Sequence, residues 1–196
     1  MVTDELVPAV RVLVVCRFNQ ARSPLTAHLL RIWADDHQLR PPPVVASSGV
    51  YAEPAQTLLP EVARVLAARG YDAPDHEPRR FQLPEAQSST LVITFERALL
   101  HDIIRKDPAL ADRTFTLREI QRIVLSPLWD ESSDGANELA SRLHRLRPRV
   151  PAGDDDTPDP THGRGRHARR ILTSVLEDSL ALAPVVLGGQ SGRSGP

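Results

Sequence analysis

RVLVVCRFNQARSP, residues 11–24, decides how this chain is read. The apolar, β-branched run at residues 12–15 predicts a buried strand. It stops at Cys16, and a helical pattern starts directly after Pro24, a residue that suits the first turn of a helix. The residues between Cys16 and Arg22 are therefore a loop joining a strand to a helix. A helix N-terminus offers unpaired N–H groups and the positive end of a dipole, so it holds anions. A thiol placed there ionises more readily, and the thiolate is the nucleophilic form. An arginine fork grips two oxygens of an oxyanion at once. Cys16 and Arg22 thus predict a cysteine nucleophile in an oxyanion cradle.

The other properties narrow the setting. A chain of 196 residues, 41% of them hydrophobic, can build one domain with its own core. A net charge of -1 steers it neither to nucleic acid nor to an anionic membrane surface. One cysteine forms no internal disulfide and suits a reducing cytosol. No apolar run reaches the roughly 18 residues of a membrane span, and the first residues lack the pattern of a signal peptide. The expected location is cytoplasmic.

Working outward from the opening stretch, apolar spacing predicts strands over residues 10–15, 44–47, 88–95 and 114–117. Helices are expected over 25–33, 60–69, 96–104, 118–125, 137–146 and 166–182, with Gly70 closing the second. Arg142, Arg145 and Arg147 are expected to be solvated. Residues 148–165, rich in proline, glycine and aspartate, form a long loop of the kind that carries function. Alternating strands and helices predict an α/β fold, a three-layer α-β-α arrangement around a four-stranded parallel sheet. In such sheets the ligand lies at the carboxyl ends of the strands, where Cys16 emerges. Residues 1–9 are expected to be a short flexible leader, 10–184 the catalytic domain and 185–196 a disordered tail.

Cys16, Arg22 and Ser23 fit C-x5-R-S, and the alternative for Cys16 is a small buried core residue. With these residues the chain resembles the low-molecular-weight protein tyrosine phosphatases and the arsenate reductases that share their fold. That family carries C-x-G-N-x-C-R-S-P after its first strand, where this chain has Cys-Arg-Phe-Asn-Gln-Ala-Arg-Ser-Pro. Ser47-Ser48-Gly49 is similar to the family's S-A-G, and Asp75-His76 with Arg79 to its D-H-x-x-R. LVITFERA at 91–98 is similar to its third strand and the helix start that follows. Asp159-Pro160 stands where the family keeps the Asp-Pro of its general acid.

The resemblance implies a flavodoxin-like fold and phosphotyrosine hydrolysis through a phosphocysteine on Cys16. Arg22 and the backbone N–H groups of Arg17, Phe18, Asn19, Gln20 and Ala21 would hold the phosphate oxygens. Ser23 would bond the Cys16 sulfur, and Asp159 would act as acid and then as base. Asn19 would take a left-handed conformation, and Ser23, Ser47 and His76 would hold the loop. The implied substrate is a phosphotyrosine protein or a small aryl phosphate, with no metal, cofactor, nucleic acid or membrane partner.

Each assignment has a plainer rival. Asp159 is alternatively a cap or a solvated loop residue, and His76 a surface histidine. Asp154, Asp155 and Asp156 read as a solvated run or as arginine partners. Thr161-His162 replaces two tyrosines that many members carry. Phe18 replaces the loop glycine: if that position needs φ > 0 it is strained, and otherwise it adds an aromatic wall. Ala21 replaces a second cysteine, and Tyr51 is the nearest candidate for the family's displaced pocket aromatic. The competing functions are arsenate reduction with an external thiol and phosphate binding without turnover.

Overall fold

The computed structural model describes residues 10–130, 138–163 and 165–188. Four strands, β1 (Arg11–Cys16), β2 (Val44–Gly49), β3 (Leu91–Thr94) and β4 (Thr114–Thr116), form one sheet in the order β2-β1-β3-β4. Every pairing is parallel, with β1 in the centre between β2 and β3. Between and after the strands run α1 (Arg22–Asp36), α2 (Pro60–Ala67), α3 (Leu83–Gln87), α4 (Arg97–Lys106), α5 (Leu117–Val124), α6 (Leu139–Leu146) and α7 (Arg166–Leu187).

The alternation of β1 explains the layers. Val12, Val14 and Cys16 face a core shared with Leu25 and Leu29 of α1, Val62 of α2, Ile120 of α5 and Leu172 of α7. Leu13 and Val15 face the opposite core, with Ala86 of α3 and Ile103 of α4. A central parallel strand is covered on both faces, which is why its sequence is continuously apolar. Helix α7 packs along α1 and α2 and closes the first layer.

Several boundaries differ from the sequence expectation, each for a physical reason. β1 runs on to Cys16 and β2 to Gly49 because their ends pair with each other. α1 begins at Arg22, so Arg22 and Ser23 sit in its first turn rather than in the loop. β3 is shorter than its apolar run, and five-residue α3 precedes it, too short to show a period. α7 continues through Pro184 to Leu187, past the expected helix end at 182 and the expected domain limit at 184, because Ala183, Val186 and Leu187 are buried; Gly188 then ends it at φ 69. The leader at 1–9, and the expected tail from 189 onward, lie outside the described residues.

The expectation that Arg147 is solvated was incorrect. Its Nε donates to Glu119 at 2.8 Å, its Nη2 to the Thr114 carbonyl at 2.6 Å, and its guanidinium lies 4.0 Å over the Phe115 ring. Arg142 likewise stacks 3.9 Å over Trp129, whereas Arg145 is exposed. Apolar spacing says nothing about cations that stack on aromatic faces.

The long loop is tied down across the carboxyl edge of the sheet. Asp155 is buried and takes both Nε and Nη2 of Arg122, each at 2.9 Å. Asp156 accepts from the Arg97 N–H at the start of α4 at 2.7 Å. The Thr157 N–H donates to the Phe95 carbonyl just after β3, also at 2.7 Å. Only Asp154 of the three acids is exposed in the manner of a solvated residue. These ties bring Asp159 over the end of β1.

Candidate active site

β1 delivers Cys16 to the carboxyl edge of the sheet, buried at 3% exposure. Six residues later α1 starts at Arg22, with Ala21 as its N-cap. Alanine has no side chain with which to cap, and no acidic residue lies in the first turn. The helix N-terminus therefore keeps its donors open. Among the described residues, no backbone N–H from Arg17 to Arg22 is taken by a protein acceptor.

The loop's shape is held by Asn19, which is fully buried and has φ 55. Asparagine tolerates this left-handed conformation better than most residues. Its Nδ2 donates to Ser23 Oγ at 2.9 Å and to Ser47 Oγ at 3.0 Å. Its Oδ1 accepts from the Arg79 N–H at 3.0 Å, which sets the orientation of the amide. Ser23 Oγ lies 3.0 Å from Cys16 Sγ, a contact in which either atom can donate, and donates to the Ser48 carbonyl at 3.3 Å.

His76 Nε2 lies 2.7 Å from the Asn19 carbonyl, and because that oxygen only accepts, Nε2 carries the hydrogen. Burial pushes the His76 pKa below its ordinary value, and nearby Arg31 and Arg79 add to that; the bond to Asn19 works the other way. His76 thus buttresses the loop through the Asn19 carbonyl. Arg79 completes it, with Nε donating to the Ser47 carbonyl at 2.8 Å.

Gly49 allows the loop to lie directly on β2. A Cβ there would stand 2.6 Å from the Asn19 nitrogen, 2.7 Å from the Phe18 carbonyl carbon and 2.9 Å from the Arg17 oxygen. All three are backbone atoms, which cannot rotate away. Gly49→Ala is expected to cost about 1–3 kcal/mol of stability and to weaken phosphate binding, read by urea unfolding and phosphate titration. An alanine variant equal to wild type in both would show that the loop has room to move.

The charged part of the site is a four-residue cluster. Arg22 is 1% exposed; its Nη1 donates to the Thr157 carbonyl at 2.7 Å and lies 2.9 Å from Glu96 Oε1. Its Nη2 lies 2.8 Å from Asp159 Oδ2, in an orientation that makes no hydrogen bond. Arg17 grips Glu96 with Nε and Nη2 at 2.6–3.0 Å and stands 4.0 Å from Asp159. That hydrogen-bonded carboxylate holds the Arg17 charge even more firmly than usual. Two cations and two carboxylates thus balance around the loop, and Arg22 Nε has no protein partner among the described residues.

Asp159 caps a turn with one of its oxygens. Its Oδ1 accepts from the N–H and the Oγ1 of Thr161, at 3.0 and 2.7 Å, and so caps the turn Pro160–His162. Its other oxygen is left facing Arg22. Thr161 thus orients the Asp159 carboxylate.

Phe18 is absent from the residues with positive φ, so left-handed strain does not arise there, and its ring packs toward Tyr51. Its centroid lies 6.4 Å from that of Tyr51, tilted by 51°. Gln20 contributes its carbonyl, which accepts from the Leu59 N–H at 2.8 Å, and Ala21 is buried. Glu96, Thr157, Thr161 and Gly49 were not singled out from the sequence as site residues. Glu96 could have been, because it stands directly after β3 at the carboxyl edge. Among the described residues no cluster of His, Cys, Asp or Glu could hold a metal ion.

The family model described as "Low molecular weight phosphotyrosine protein phosphatase" matches residues 11–130, which hold Cys16, Arg22, Ser23 and Glu96. The chain belongs to this family. Membership makes it a hydrolase of the protein-tyrosine-phosphatase class. A curated relative, the probable low molecular weight protein-tyrosine-phosphatase EpsP of Ralstonia nicotianae, is 25% identical over 134 residues, 68% of this chain and 88% of that protein. Among solved structures, a YwlE mutant from Bacillus subtilis is 20% identical at a TM-score of 0.65, covering 91% of this chain and 99% of that one. The tyrosine phosphatase Wzb from Escherichia coli K30, in complex with sulphate, is 21% identical at a TM-score of 0.62, over the same shares. The YwlE arginine phosphatase from Geobacillus stearothermophilus is 22% identical at 0.63, covering 95% and 99%. These likenesses show the phosphatase fold along nearly the whole chain, including the part beyond residue 130.

Proposed function

We propose that this phosphatase hydrolyses phosphotyrosine in cytoplasmic proteins, with Cys16 as nucleophile, Arg22 as phosphate clamp and Asp159 as proton donor. The observation that carries the assignment is the position of Arg22. It closes the loop that opens at Cys16, and its guanidinium meets Asp159 Oδ2 at 2.8 Å although the two residues are far apart in sequence. Nucleophile, anion clamp and acid therefore surround one space.

In the first step the Cys16 thiolate attacks phosphorus, the S–P bond forms and the P–O bond to the phenol breaks. Asp159 gives its proton to the leaving oxygen. In the second step Asp159 takes a proton from water, whose oxygen attacks phosphorus; the S–P bond breaks and the thiolate and inorganic phosphate are released. The open N–H groups of residues 17–22 and the Arg22 fork would hold the equatorial oxygens as their charge grows. Ser23, 3.0 Å from the sulfur, is placed to support the thiolate before attack and as it leaves. The Phe18–Tyr51 rim supports an aryl substrate, since aromatic rings favour tilted contacts with one another.

The test is turnover of a phosphotyrosine peptide and of p-nitrophenyl phosphate by wild type and Asp159→Ala, with phosphoarginine as the rival substrate. The aspartate variant is expected to lose about 10²–10³ in kcat on the peptide and less on p-nitrophenyl phosphate, whose leaving group needs little protonation. An unchanged kcat on the peptide would remove Asp159 from the mechanism. Preference for phosphoarginine over phosphotyrosine would overturn the substrate assignment.

A further inference from the structure

Behind Tyr51, on the α4 side of the sheet, lies a cleft of about 320 Å³ that takes no part in the chemistry above. Phe81 and Val50 form its apolar floor, and Arg80, Arg105 and Lys106 stand around it with one acid, Asp102. Arg105 is committed to Asp102 at 2.5 Å. Lys106, the chain's single lysine, lies 5.6 Å over the Phe81 ring. Neither Lys106 nor Arg80 has an ion-pair partner among the described residues, so the cleft carries an excess of exposed positive charge over an apolar base.

The cleft is built onto the catalytic loop. The Val50 N–H donates to the Cys16 carbonyl at 3.0 Å and the Tyr51 N–H to the Arg17 carbonyl at 2.7 Å. The Phe81 N–H in turn donates to the Gly49 carbonyl at 2.9 Å. Tyr51 therefore has the phosphate loop on one side, through Phe18, and the basic cleft on the other. The cations at the loop itself, Arg17 and Arg22, are neutralised by Glu96 and Asp159. The cleft that Tyr51 shares with Arg80 and Lys106 carries positive charge left uncommitted among the described residues.

We infer that this cleft is a substrate subsite that takes an acidic side chain, glutamate or aspartate, lying a few residues from the phosphotyrosine on the same polypeptide. The inference rests on the phosphatase reading above. An extended chain advances about 3.3–3.6 Å per residue, so a segment leaving the aromatic rim past Tyr51 reaches Arg80 and Lys106 within a short stretch. The carboxylate would pair with these two cations, and its methylenes would lie against Phe81.

The experiment compares phosphotyrosine peptides bearing glutamate, glutamine or lysine at each of the first few positions on either side. Glutamate at a favoured position is expected to raise kcat/KM over glutamine by roughly three- to tenfold, as exposed charge pairs do. The gain should lie in KM and vanish at high salt. The double variant Arg80→Ala/Lys106→Ala should lose the preference and keep wild-type kcat/KM on p-nitrophenyl phosphate. Equal rates for glutamate and glutamine everywhere, or a preference that survives in the double variant, would overturn the inference. A gain from a second phosphotyrosine with none from glutamate would assign the cleft to phosphate and also overturn it. Binding of the same peptides to Cys16→Ser, by fluorescence anisotropy, makes the comparison without turnover. Failure of wild type on p-nitrophenyl phosphate would strike the phosphatase reading alone.

Discussion

Cys16→Ser is expected to lower kcat on p-nitrophenyl phosphate by about 10⁴-fold or more. A serine hydroxyl is scarcely ionised at neutral pH, and among the described residues the side chain that hydrogen-bonds the sulfur is the Ser23 hydroxyl, 3.0 Å away, which is not a base. The rest of the cradle is untouched, so inorganic phosphate should bind to the variant with nearly unchanged affinity. Steady-state kinetics together with calorimetric titration of phosphate separate the two effects. Activity within tenfold of wild type would remove Cys16 as nucleophile. Loss of phosphate binding together with activity would mean that the substitution had disturbed the loop instead.

Arg22→Ala is expected to cost both stability and rate. The guanidinium is 1% exposed, and the side chains of Glu96 and Asp159 against it are exposed by only 12% and 8%. Removing one partner of a buried ionic cluster leaves uncompensated charge, at a cost of about 3–5 kcal/mol. Glu96 keeps Arg17, whereas Asp159 loses its nearest cation, so most of the cost should arise at Asp159. Urea unfolding of Arg22→Ala and of Arg22→Ala/Asp159→Asn checks this, and the second substitution should restore part of the loss. The kcat of Arg22→Ala should fall by about 10²–10³, the usual size for a lost oxyanion donor. Arg22→Lys should recover more stability than activity, because lysine keeps the charge and loses the fork. A stable, active Arg22→Ala would contradict both the packing argument and the assigned role.

The strand–loop–helix at 11–24 was legible because its signals are local. A β-branched run, a cysteine at its end and a proline in the next first turn do not depend on distant residues. The left-handed φ of Asn19 was implied by the family resemblance, and asparagine tolerates that conformation better than most residues. Arg147 was not legible, and for Asp155 an arginine partner was one of two open readings, with nothing to say which arginine. A charged residue on a helix or in an aspartate run reads as solvated until its partner is known, and Glu119, Phe115 and Arg122 come from other elements. Phe18 needed the structure as well, since only the backbone angle distinguishes a strained residue from a wall.

The sequence by itself determined the parallel α/β architecture, the position of Cys16 at the carboxyl edge and the order of the loop's donors. All of these follow from periodicities and from neighbours within a few residues. Only the tertiary structure decided which charges meet. The 148–165 loop carries several aspartates, and nothing in their spacing says which one turns inward. Asp155 on Arg122, Asp156 on the start of α4 and Thr157 on the Phe95 carbonyl fix the loop's register, and that register leaves Asp159 facing Arg22. The reason is physical: an ion pair is set by where two chain segments cross, and a crossing is a property of the packed fold.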